Sequence, residues 1–146
     1  MYTIIYKSTM SSGLTHNDIR SLLYYARSFN HENNISGCIF YGNQQFLQLI
    51  EGHQEVIVSL YKRIKNDNRH HSIQLLYDST TQEKMFKDWN MVFFNVKLFQ
   101  DFKNDNDNLL KSVLTELSLK NSKVESLKIL RKEIENLHSN SDESIV

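Results

Sequence analysis

Hydrophobic and polar positions change period several times along the chain, and each change marks an element. From Tyr2 to Ser8, β-branched and aromatic residues alternate, which predicts a first strand with Tyr2, Ile4 and Tyr6 on one face and Thr3, Ile5 and Lys7 on the other. Thr15 offers a capping hydroxyl with Asp18 three residues on, and Ile19, Leu22, Leu23 and Ala26 recur at helical spacing. A first helix is expected to about Asn30. After the polar break at 31–34, the run Ile35 to Tyr41 predicts a second strand, Gly42-Asn43 a tight turn, and Gln45 to Ile50 the returning strand of a hairpin. Phe46, Gln48 and Ile50 share one face of that strand and Leu47 and Leu49 the other, which makes Gln48 a lone amide among apolar neighbours.

Val56, Ile57, Leu60, Tyr61 and Ile64 follow helical spacing through a second helix that Asn66-Asp67-Asn68 ends. A fourth strand is expected at about Ser72 to Tyr77, a polar loop over 78–87, and a fifth strand entered through Asp88-Trp89-Asn90-Met91 and reaching about Val96. The order βαββαβ with an added strand describes an α+β fold, a ferredoxin-like sandwich in which both helices cover one face of an antiparallel-type sheet. Two amphipathic segments follow, carrying Leu109, Leu110, Val113, Leu114 and Leu117, then Val124, Leu127, Leu130, Ile134 and Leu137. They are expected to pack on the other sheet face or to form a partner-binding pair. The polar, acidic and unpatterned stretch 139–146 is expected to be a disordered tail.

Composition narrows the function. A chain of 146 residues that is 40% hydrophobic suffices for one domain with one core. Lys plus Arg and Asp plus Glu number 17 each, so no basic field draws nucleic acid and no partner is named by charge. The longest apolar runs are far below the roughly 18 residues of a membrane span, and no signal-peptide pattern opens the chain. A soluble, cytoplasmic protein with no membrane partner is expected. The single cysteine, Cys38, cannot form an internal disulfide and sits in an apolar run, where it reads as packing. There is no glycine-rich phosphate loop, cysteine pair, nucleophile elbow or His-Glu-x-x-His helix. His70-His71 are adjacent on an extended segment and point to opposite faces, so no metal site is expected.

The informative feature is a set of polar side chains embedded in apolar elements: Tyr6, Asn30 and Gln48. An unpaired buried amide costs about 1–3 kcal/mol, so each needs a partner. Any one alone is accounted for by nearby backbone; the three together invite a polar ligand.

Four blocks then carry a family resemblance: Thr3-Ile4-Ile5-Tyr6-Lys7-Ser8; Ala26-Arg27-Ser28-Phe29-Asn30 with Ile35-Ser36-Gly37; Phe46-Leu47-Gln48-Leu49-Ile50-Glu51-Gly52; and Asp88-Trp89-Asn90-Met91. In order and spacing they resemble the BLUF family of blue-light photoreceptors over about residues 1–94. Phe29 and Ser36 depart from a polar residue and a threonine common among relatives. The resemblance implies a flavin lying between the two helices over the sheet, FAD in the first instance with FMN or riboflavin as alternatives. It implies that Tyr6, Gln48 and Asn30 form the light-reactive hydrogen-bond network, with Asn30 on the polar edge of the ring and Trp89 and Met91 a mobile pair beside it. Arg63 and Asp67 match polar residues near the ribityl chain and phosphate, and Arg69 and His70 fill a similar basic role.

Physical chemistry agrees with these roles. An excited flavin is a strong oxidant, and a phenol, with an ordinary pKa of about 10, supplies an electron and then a proton through an adjacent amide. Rotation or tautomerisation of Gln48 reverses its donor and acceptor ends without altering a covalent bond of the cofactor. The resulting division is a flavin-binding domain at 1–97, a helical cap or output segment at 98–138 and the tail. No cyclase, phosphodiesterase or DNA-binding segment follows, so a stand-alone photoreceptor is expected, without enzymatic activity, that signals to a separate downstream protein or through homo-oligomer formation. Two other readings stand beside it: a light-insensitive ferredoxin-like interaction module and, less supported, a flavin redox enzyme.

Overall fold

The computed structural model describes residues 1–87, 90–96 and 125–143, with side chains as far as Leu137 in the last segment. Asp88, Trp89, the first amphipathic segment expected at 109–117, Val124 and the last three residues lie outside the described residues. The elements are β1 (Tyr2–Met10), α1 (His16–Glu32), β2 (Ser36–Gly42), β3 (Gln45–Gly52), α2 (Gln54–Lys65), β4 (His70–Thr80), β5 (Asn90–Asn95) and α3 (Glu125–Glu143).

Local signals explain most of the boundaries. Thr15 caps α1 through a reciprocal box in which its hydroxyl accepts from the Asp18 backbone N–H and the Asp18 carboxylate accepts from the Thr15 N–H at 2.8 Å. The hairpin turn falls one residue later than expected. Asn43 and Gln44, not Gly42-Asn43, hold the left-handed conformation, with φ of 50° and 59°, while Gly42 closes β2 opposite Gln45. Two consecutive left-handed residues suit the twist of a two-residue hairpin, and asparagine accepts that backbone almost as readily as glycine.

The sheet order is β4-β1-β3-β2-β5. β1 lies antiparallel between β3 and β4, and β2 antiparallel to β3, as a ferredoxin-like order requires. The added β5 runs parallel to β2, so the sheet is mixed rather than wholly antiparallel. Alternation along β1 and β3 serves two cores. Ile5, Leu47 and Leu49 join Cys38 and Phe40 beneath α3, which contributes Leu127, Leu130, Ile134 and Leu137. Ile4, Tyr6 and Ile50 face the other way with Ile35, Ile57 and Met91. The second amphipathic segment therefore covers the sheet face opposite α1 and α2. Its helix continues to Glu143, past the boundary expected at 138, since no glycine or proline follows Leu137 to stop the backbone pattern.

Gly37 is required by packing. Its φ is 151°, and a Cβ there would stand 1.9 Å from the Leu49 carbonyl oxygen, so β2 and β3 approach closely just where β5 begins. Among the described residues no helix is long and apolar enough to cross a membrane.

Candidate functional site

The apolar stripe of α1 does not close onto the sheet. Leu22, Leu23, Ala26 and Phe29 are only half-buried and, with Ile19, line a cleft of about 630 Å³ between α1, α2 and the sheet. That size falls within the range of small-molecule sites. All seven residues expected to hold a cofactor, Tyr6, Asn30, Gln48, Arg63, Asp67, Arg69 and His70, line it, as does Met91.

Strand register builds the floor. Tyr6 and Gln48 are direct partners across the antiparallel pair β1–β3, which places both side chains on the cleft face. The Tyr6 hydroxyl donates to Gln48 Oε1, and Gln48 Nε2 donates to the sulfur of Met91 at 3.3 Å. Tyr6 is 3% exposed, and burial pushes its phenol well above the ordinary value, with Tyr61 and Asp67 adding to the effect. The group is therefore held as a neutral proton donor.

Asn30, at the end of α1, is equally buried. Its backbone carbonyl accepts from the Ile35 N–H at 2.8 Å, and the residue lines the cleft. A carboxamide in the lining of a cleft is a position for a ligand's polar edge.

The outer wall is charged. The guanidinium of Arg63 lies 4.9 Å from the ring centroid of Phe29, a cation–π contact that gives the apolar residue at 29 a structural role. Asp67 accepts from Arg69 Nε at 2.9 Å, and that bond holds the Asp67 carboxyl below its usual range while raising Arg69. His70 is bonded at both ring nitrogens, to Ser8 Oγ at 2.8 Å and to the Ile64 carbonyl at 2.6 Å. The carbonyl requires Nε2 to carry the proton, so His70 forms part of the wall and offers no spare donor. Among the described residues no cluster of three His, Cys, Asp or Glu is placed to hold a metal.

Two polar residues the pattern did not single out bear on the site. Glu51 is fully buried, and its carboxylate accepts from the backbone N–H of Met85 at 2.9 Å, from that of Phe86 at 2.5 Å, and from Ser36 Oγ. It ties the loop leading to β5 onto β3. Its signal was available, because alternation puts 51 on the same apolar face as 47 and 49. Arg27 donates from Nε to the Met91 carbonyl at 3.1 Å, a contact no local pattern announces. Trp89, expected beside Met91, lies outside the described residues.

The cleft thus suits a flat, largely apolar ring with a hydrogen-bonding edge and a polar extension. Comparison with known proteins agrees. The family model described as sensors of blue-light using FAD, BLUF, matches residues 1–92. Photoactivated adenylate cyclase subunit alpha of Euglena gracilis is 28% identical over 86 residues, 59% of this chain and 8% of that protein. The blue light- and temperature-regulated antirepressor BluF of Escherichia coli (strain K12) is 25% identical over 111 residues, 76% of this chain and 26% of that protein. The chain spans 12% or less of the length of the cyclase subunits it matches. Among solved structures, the photo-activated state of BlsA is similar at a TM-score of 0.65 and 27% identity, with 94% of each chain covered.

Proposed function

Since the chain belongs to the BLUF family of flavin-binding blue-light sensors, we propose that Tyr6, Gln48 and Met91 are its light-reactive network and that the flavin lies over them between α1 and α2. The observation that carries this reading is the continuous chain Tyr6–Gln48–Met91 along the cleft floor, with Asn30 lining the same cleft.

Bound flavin supplies a strong oxidant on absorbing blue light. The protein supplies everything else. Asn30 holds the polar edge of the ring. Arg63 and the Asp67–Arg69 pair flank the ribityl and phosphate extension, FAD being the flavin of the family description. Tyr6 keeps its proton because burial disfavours phenolate, and that proton points at Gln48 Oε1, so electron loss from the phenol is matched by proton movement along an existing bond. Gln48 then reverses its donor and acceptor ends by rotation or tautomerisation, and Met91 loses the N–H that holds its sulfur.

Return of the electron and proton to Tyr6 leaves no product, so the chain acts as a sensor and not as an enzyme. Its output is contact with a separate protein or a change in self-association. The one cysteine, Cys38, is a free buried thiol, which suits a cytoplasmic setting.

The test is the visible spectrum of purified protein in the dark, directly after a blue pulse and through recovery. A flavin band that shifts slightly to the red and returns is expected. Bound flavin without the shift would favour redox chemistry, and protein that binds no flavin would be an interaction module.

A further inference from the structure

We propose that Arg27 is a positioning residue for the light switch: from α1 it holds the backbone of Met91 in a strained bulge and so seats the Met91 sulfur on Gln48. The inference rests on the reading of Tyr6, Gln48 and Met91 as the reactive network.

Met91 has φ of 107°, a conformation that a residue with a side chain rarely adopts. The cause lies in the pairing. Gly37 opposes Asn90 and Cys38 opposes Val92, so Met91 is the extra residue of a β-bulge in the parallel pair β2–β5. Such strain persists only where surrounding contacts impose it. Two sets of contacts do so here. The side chain is fixed from the sheet by Gln48 Nε2 at 3.3 Å, and the carbonyl, released from regular pairing by the bulge, accepts from Arg27 Nε at 3.1 Å. One turn along α1, His31 Nδ1 lies 3.5 Å from Nδ2 of the Asn90 side chain, so the same helix face meets two successive residues of the bulge.

The geometry has a functional consequence. A side chain that must regain Gln48 when the amide reverts reseats fastest on a backbone already held in place, and Arg27 holds that backbone from outside the cleft floor. Arg27 itself is exposed, and it is not among the residues lining the cleft. Its contribution is to place Met91.

The experiment uses the full chain with flavin, labelled with 13C-methyl methionine. The Met91 signal is assigned by its loss in Met91→Leu, and spectra are taken in the dark for wild type, Arg27→Leu and Arg27→Lys. Arg27→Leu is expected to move the Met91 methyl signal while those of Met1, Met10 and Met85 stay, and Arg27→Lys to restore it part of the way. After a blue pulse, dark recovery in Arg27→Leu should be roughly threefold to tenfold slower, the effect of one hydrogen bond that must re-form as Met91 reseats. The slowing should disappear in a Met91→Ala background, because Arg27 acts through that side chain. A Met91 methyl signal that ignores Arg27, or a slowing of equal size in both backgrounds, would overturn the proposal. If wild type showed no light-induced shift while the Met91 signal still followed Arg27, the positioning role would stand and the photoreceptor reading would fall.

Discussion

Tyr6 and Gln48 face each other directly across the β1–β3 pair, and the phenol of one donates to the amide oxygen of the other. Neither side chain reaches this bond through a loop. Both stand on central strands, with β4 beyond β1 and β2 beyond β3, so the bond is held in register by the whole sheet. A switch built on it begins from one defined geometry.

Tyr6→Phe is expected to retain flavin and abolish the reversible red shift, because the ring still packs against Tyr61, 5.6 Å away, while the donor is gone. Gln48→Leu should abolish the shift as well, through loss of the amide. Each leaves one buried polar group unpaired and should cost about 1–3 kcal/mol of stability. Light-minus-dark spectra and urea unfolding read the two effects separately, and a normal shift in either variant would remove that residue from the mechanism.

Asn30→Ala should weaken flavin binding by roughly tenfold, on the order of one to two neutral hydrogen bonds lost to the ring edge. Titrating apo-protein into flavin and following fluorescence gives the constant. An unchanged affinity would place the ring edge elsewhere in the cleft.

Glu51 predicts a dependence on pH. Burial raises its carboxyl above the ordinary value of 4.5, against the opposing pull of the Met85 and Phe86 N–H groups, Lys84 and Ser36. The folded protein therefore holds this proton at pH values where the unfolded chain has released it. The contribution of Glu51 to stability is full below 4.5 and declines as pH rises from there through the raised value. Wild type should accordingly gain stability relative to Glu51→Gln as the pH is lowered toward 4.5, in urea unfolding at a series of pH values. A difference that stayed flat would mean the carboxylate is not desolvated as described.

Ile134→Ala should destabilise the protein by about 2–5 kcal/mol, since Ile134 is fully buried in the core that α3 shares with the sheet. Loss of less than about 1 kcal/mol in urea unfolding would show that α3 is only loosely docked. Flavin content is expected to be unaffected, because this core lies on the face opposite the cleft.

The sequence by itself determined whatever depends on residues close together in the chain. Alternation assigned Ile4 and Tyr6 to one face of β1 and Ile5 to the other, and Leu47 and Leu49 to the face opposite Gln48; the Thr15–Asp18 box set the start of α1; and the spacing of Leu127, Leu130, Ile134 and Leu137 marked an apolar stripe without saying which surface it would meet. The four motif blocks held Tyr6, Asn30, Gln48 and Met91 of the cleft, because a motif preserves side-chain identity whatever the fold does between its parts. Tertiary structure alone decided that β5 runs parallel to β2, that Met91 is the bulged residue, that Glu51 ties the loop before β5 to β3, and that Arg27 reaches a carbonyl 64 residues away. The reason is physical. Periodicity reports which face a side chain takes on its own element, whereas a bulge, a strand direction or a hydrogen bond from a helix to a distant strand depends on how two elements meet, and neither element carries that relationship in its own pattern.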